Sequence, residues 1–568
     1  MRRVLIIGAG ALVAACTDGI TQPNEPPPAG AITLAVGETR QIASADAATI
    51  VSGGPTGAEF VLVPFYGSPA SAAPVTLELS GEQLAAASDS PSQDVAAVWF
   101  GSPSIGSAAS LDAEARAGFD ARLRRLERAL APRMPAARAA WASRRSSSGG
   151  LRSAAAAPPA VGDAVTYNVQ ADYSCEAPDY RPGHVVAVSS AAVVVADDAN
   201  PPGGFTSGDY ARIAQSFADS VYPLDTRNFG TPSDIDGNDR VVIFFTRAVN
   251  ELTPANAGWY IGGFFHSRDL FPRTVPNQNA SACPGSNEAE MFYMLVPDPT
   301  GVVNGNQRPL AFVRTLTTGT LAHEFQHLIN GSRRLYVNGA SSFEEVWLNE
   351  GLSHIAEELM FYQAPGFGPR QNLTRQRVGS SQAAIDAFNS YEVSNFARLF
   401  GYLKDPERNS PYADNDNLAT RGATWQFLRY AADHSTKGEE QVWQALVRDT
   451  RVAGFANLTA VLGDVVPIVR DWSMAQYTDD LVPQMTSTLQ QPSWDYRSLF
   501  SALLPDGYGY PLKTRALASG TPVSLTLNGG GAAYLRFAVA RGAAGALRVR
   551  SGGAAPPAAV ALMLVRTR

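Results

Sequence analysis

TGTLAHEFQHLING runs from Thr318 to Gly331 and contains His323, Glu324 and His327. Two His at i and i+4 lie about one turn apart on one helix face, so their imidazoles can converge on one ion. Neutral His nitrogen is a good zinc ligand. Glu324 sits at the edge of that face, where it reaches a metal-held water without ligating the metal. The flanks fit a helix buried beneath a cleft. Leu321, Ala322, Phe325, Gln326, Leu328 and Ile329 carry no charge, and no Pro interrupts them. A helix with two merely exposed His should carry charges beside them.

Outward from that stretch, EEVWLNEGLSHIAEEL spans 344–359. Leu352, Ile355 and Leu359 recur on one side and Glu357 and Glu358 on another, which predicts a second helix. The loop NGSRRLYVNGASS joins the two. An antiparallel second helix brings Glu350 over the His pair. Two His, one Glu and an open fourth position form the arrangement of a catalytic zinc.

HEFQH followed by WLNEGLS resembles the gluzincin pattern, in which the Glu of an N-E-G or N-E-A turn is the third ligand. The fuller series DIDGNDRVVIFFT, LAHEFQHLIN, EEVWLNEGLSHIAEEL and GATWQFLRYAAD is similar to the hyicolysin-type secreted metallopeptidases, over roughly residues 161–450. The resemblance implies a zincin-like fold and a peptidase acting on proteins or peptides. It also implies zinc held by His323, His327 and Glu350, with Glu324 as general base and acid. Thermolysin-like enzymes place an Asp four residues after the ligand Glu, and here His354 stands in that place. His354 is either a supporting or packed residue or an alternative ligand, and Glu357 is a candidate for the missing orienting carboxylate. An oxyanion donor is sought among Tyr430 and His434, at i and i+4 on a later helix, with Tyr412 upstream. His184 and His266 have no partner motif and read as ordinary residues.

At 568 residues the chain is too long for one core and predicts several domains. A net charge of -7 offers no basic face for nucleic acid. MRR, then an apolar run from Val4 to Ala15, reads as a signal peptide over 1–15, too short to span a bilayer. LVAAC resembles a bacterial lipobox, which implies cleavage before Cys16 and a lipid anchor on it in the cell envelope. A plain secretory signal is the alternative. Cys175 and Cys283 are the remaining cysteines, and in an exported chain they suggest one disulfide.

The fold class expected is α+β, a zincin-like domain flanked by small all-β modules. Residues 16–30 form a Pro-rich tether and 31–105 a β-sandwich-like module. Within 106–160 lie an Arg-rich amphipathic helix and a linker; the helix is either a solvated connector or a propeptide-like cover of the active site. The peptidase domain spans 161–510 and a C-terminal β-module 515–568. SDIDGNDR, 233–240, reads as a turn leading into a strand, with calcium binding through Asp234, Asp236 and Asn238 as the weaker reading.

Endopeptidase is favoured over aminopeptidase, because no G-x-M-E-N-like stretch precedes the zinc helix to anchor a substrate amine. The alternative from another class is a surface binding or adhesive lipoprotein with an inactive peptidase domain. In such a chain a ligand or the base should be lost, and all four positions are intact.

Overall fold

The computed structural model describes residues 30–568 except 44–46, 70–72, 89–112, 148–158, 173–174, 277–278, 414, 416 and 505–508. The residues read as a signal peptide, Cys16, and nearly all of those read as a tether lie outside the described residues. The architecture is α+β.

The strands of the two chain ends build one sandwich. β1 (Thr39–Ile42), β2 (Thr49–Ser52), β3 (Ala58–Tyr66) and β4 (Val75–Glu82) come from the first end. β11 (Arg515–Ala516), β12 (Val523–Leu527), β13 (Leu535–Val539), β14 (Ala544–Arg550) and β15 (Val560–Arg566) come from the other. One sheet has the order β1-β15-β3-β13-β11 and the other β12-β4-β14-β2. This corrects the expectation of two separate modules at 31–105 and 515–568. Neither set of strands could complete a sheet alone, because Leu62 of β3 pairs with both Leu535 and Leu564.

Alternation explains why β3 is buried along most of its length. Phe60 and Leu62 enter the sandwich core beside Leu535 and Phe537. Val61, Val63 and Phe65 point the opposite way, into the core of the central domain. The sandwich is thus fastened to that domain through a strand apolar on both faces. Tyr534 adds a hydrogen bond to the Ser473 carbonyl at 2.7 Å.

The central domain begins with a six-stranded sheet. Its strands are β5 (Ala164–Asn168), β6 (Tyr180–Val188), β7 (Ala192–Asp197), β8 (Val241–Phe245), β9 (Gly263–Phe265) and β10 (Met291–Met294). The order is β5-β6-β7-β8-β10-β9, with β9 antiparallel at the edge. β8, VVIFF, is buried throughout, as a strand covered on both faces must be. The helix Ser207–Ser216 is capped by Thr206 in a reciprocal box with Asp209.

Six helices build the site and its surroundings. They are α1 (Ala113–Leu130), α2 (Met134–Ser147), α3 (Leu310–Ser332), α4 (Val346–Gln363), α5 (Val393–Lys404) and α6 (Leu418–His434). From Leu321 to Ser332 every residue of α3 is buried, and so is every residue of α4 from Val346 to Tyr362. These are core helices, so uncharged flanks around HEFQH are a packing requirement as well as a chemical one. A disulfide joins Cys175 to Cys283, with Cα atoms 4.5 Å apart. Among the described residues no helix is long and apolar enough to cross a membrane.

Candidate metal centre

The antiparallel arrangement inferred for the two helices puts Glu350 above the imidazoles of α3. His323 Nε2 and His327 Nε2 lie 3.1 Å apart. Glu350 Oε2 is 3.5 Å from the first and Oε1 3.6 Å from the second. Four donors tetrahedrally arranged at zinc bond lengths sit about 3.3 Å from one another. Two imidazole nitrogens and a carboxylate at these separations therefore suit zinc in both chemistry and spacing. Glu324, one position along α3, is 5% exposed and lines the same cleft.

The other nitrogen of each imidazole is also engaged. His323 Nδ1 lies 3.0 Å from Glu357 Oε1, and His327 Nδ1 lies 3.1 Å from the Ser353 hydroxyl. Both partners sit on α4, so one helix supplies the third donor and the groups that orient the first two. His354 is fully buried, its Nδ1 3.1 Å from Glu357 Oε2. It stands beneath Glu357. His323, His354 and Glu357 make a second group able to hold an ion, but through the other face of His323.

Charge in the centre is tightly arranged. Burial alone would raise the Glu350 carboxyl; Arg421, then His327 and His323, hold it well below the usual carboxylate range. Burial works against charge on His323, yet hydrogen bonds to Glu350 and Glu357 lift it to about 9. Burial followed by repulsion from Arg124 pushes His327 down to about 4. Burial opposes ionisation of Glu357 too, but His354 and His323 hold it well below its ordinary value.

Gly351, the glycine of NEG, has a packing reason. A Cβ there would meet Thr424 Cγ2 of α6 at 2.4 Å. Gly422 lets α6 meet α5 equally closely, since its Cβ would lie 2.4 Å from the backbone of Arg398 and Leu399. The three helices therefore seal against one another around the centre. This close approach carries Arg421 to within 2.8 Å of Glu350 Oε2 and Arg398 to within 3.7 Å of Glu357.

Tyr430 and His434 are not brought to the centre. The Tyr430 hydroxyl donates to the Thr488 carbonyl, and His434 Nε2 meets the Gln490 carbonyl at 3.0 Å. Tyr412 bonds the carbonyl of Ser68. The cleft instead carries Arg421, Arg398 and Tyr391, none of which sequence reasoning singled out. The only local signal was an Arg inside the otherwise uncharged run ATRGATWQF.

His266, read as ordinary, is a buried N-cap whose Nδ1 accepts from Arg268 N. At 233–240, Asp234 Oδ1 accepts from the backbone N–H groups of Asn238 and Asp239, which closes the expected turn. Asp234 and Asp236 come together with Glu290, and the Asn238 amide is turned to Asp236.

These donors form a group that could hold a metal ion. Over 153 residues the chain is 32% identical to the neutral metalloprotease ShpI of Staphylococcus hyicus, a stretch covering 27% of this chain and 31% of ShpI. The chain thus spans about a third of the relative it matches. No protein-family model matches it.

Proposed function

We propose that the chain is a zinc-dependent endopeptidase with a zincin-like domain, exported and held at the cell envelope by a lipid on Cys16. The observation that carries the reading is the convergence of His323 Nε2, His327 Nε2 and the Glu350 carboxylate in a cleft that Glu324 also lines. The partial likeness to a neutral metalloprotease supports it.

His323, His327 and Glu350 would hold the metal. When bound, zinc supplies Lewis acidity and brings the pKa of a water it holds to about 7. Glu324 takes a proton from the attacking water and delivers it to the departing amine. Glu357 and Ser353 fix the ring planes of the two His. Arg398 and Tyr391 line the cleft and are the candidates for steadying charge on the substrate carbonyl oxygen. β9 is the outermost strand in sheet order, so an extended peptide can add to it as a further strand.

Casein hydrolysis by the purified chain tests the reading. It should vanish with a chelator, return with zinc, and fall by about a hundred- to ten-thousandfold in Glu324→Gln. Hydrolysis that survives in Glu324→Gln would remove Glu324 from the chemistry. A zinc-loaded, folded chain that cleaves no protein substrate would leave the binding-lipoprotein alternative.

A further inference from the structure

The cleft is covered by a piece of the same chain. α1 packs against Phe264 of β9 through Phe119, and α2 follows it onto the central domain. Phe119 packs edge-on against Phe264 of β9, with ring centres 5.7 Å apart. Phe119 and Leu123 are buried in one cluster with Ile261, Phe264 and Val313. Leu123 and Arg124 line the cleft together with His323, Glu324 and Glu350. Arg124 is 3% exposed; its Nε lies 3.5 Å from Glu350 Oε1 and its Nη1 3.2 Å from Glu127 Oε2.

We propose that α1 is an inhibitory plug built into the chain, docked over β9 with Arg124 seated against the metal-ligating Glu350. The site it closes is the one read above as catalytic, and the docking itself rests on packing alone.

A helix used only as a connector would show solvent its charged residues and bury at most a stripe of apolar ones. α1 does more. It places a guanidinium in the interior, which is costly unless a carboxylate meets it, and the carboxylates that meet it are Glu127 of α1 and Glu350. Position adds two further consequences. Phe119 covers the side chain of Phe264 on β9, the strand beside the cleft. A guanidinium beside Glu350 also repels any cation placed between that carboxylate and the His pair.

The holding residues are separate from the blocking ones. Leu130 and Met134 are buried in the main core. Arg133 donates to the Ala282 carbonyl at 2.8 Å and Arg138 to the Ala340 carbonyl at 3.0 Å. Trp141 packs on Tyr336 at 5.0 Å. α2 is therefore the anchor and α1 the stopper, and α1 can be altered without removing the anchor.

The experiment compares the full chain with Arg124→Ala and with the triple variant Phe119→Ser/Leu123→Ser/Arg124→Ala. Three measurements are made: amide hydrogen exchange over 260–265 and 316–324, zinc affinity by competition with a chromogenic chelator, and hydrolysis of a fluorogenic peptide. The triple variant should exchange faster at both segments and hydrolyse at least about tenfold faster. Arg124→Ala, the milder change, should bind zinc more tightly while keeping its circular dichroism spectrum. Unchanged exchange together with unchanged zinc affinity overturns the plug. Equal hydrolysis by all forms overturns its inhibitory role. Faster exchange with no hydrolysis by any form upholds the covering helix and counts against the peptidase reading instead.

Discussion

Arg421 Nη1 lies 2.8 Å from Oε2 of Glu350, and both side chains are buried. In the metal-free chain this guanidinium is the carboxylate's nearest counter-charge. Arg421→Met should destabilise the metal-free protein by about 3–5 kcal/mol, because it takes the nearer of two guanidinium partners from a buried carboxylate. Zinc supplies a replacement charge, so the loss should shrink in the loaded protein. Urea unfolding with and without zinc measures both, and an equal loss in the two states would show that Arg421 does not serve Glu350.

Glu357 orients His323 through Nδ1 at 3.0 Å, and its other oxygen meets His354. Glu357→Ala should weaken zinc binding about 10- to 100-fold, the usual effect of losing a carboxylate behind a ligating His. Glu357→Gln, which keeps an acceptor oxygen, should lose less. A chelator-competition titration distinguishes the two variants.

The loop between α3 and α4 is held by Arg334 and Glu344, both buried and ion-paired to each other. Glu344 also accepts from Gly454 N at 2.6 Å and Asn457 Nδ2 at 2.8 Å. Glu344→Ala strands a buried guanidinium and two donors, and should cost about 3–5 kcal/mol in chemical unfolding. It should also lower zinc affinity, since this loop sets where Glu350 enters.

Glu290 is buried, and desolvation lifts its carboxyl to about 8 from an ordinary value of 4.5. A raised folded-state pKa contributes stability that is fully present below pH 4.5 and lost as pH climbs to about 8. Unfolding at fixed urea, in chelator, should therefore show a decline on the order of a few kcal/mol across that window. Glu290→Gln should flatten it, as judged by the difference between the two curves, because Asp479 is also raised to about 8.

The grouping of His323, His327 and Glu350 was legible because its parts are local. His323 and His327 are one turn apart, and Glu350 to Glu357 lie on one helix that carries the NEG run near its start. Cys175 and Cys283 were legible by count. Arg421 was not, since its carboxylate partner lies on another helix and only the packing at Gly351 and Gly422 brings them together. Tyr430 was misplaced for the same reason, as nine residues along α6 carry it about 13 Å beyond Arg421. The two runs of β-strands were each recognised, but alternation reports which face is buried and not which distant strand buries it. Phe119 and Leu123 gave the periodicity of a helix, while their partners on the sheet edge are visible only in the folded chain.

The interleaved sandwich bears on how α1 could ever leave. β1 to β4 belong to the chain before α1, and β11 to β15 to the chain after the central domain, yet the two sets share both sheets. A nick within 148–158 would therefore yield two polypeptides still clasped as one particle, with the severed helix leashed beside its berth and quick to return. Freeing 113–147 from both of its neighbours in the chain would take a second nick, within 89–112.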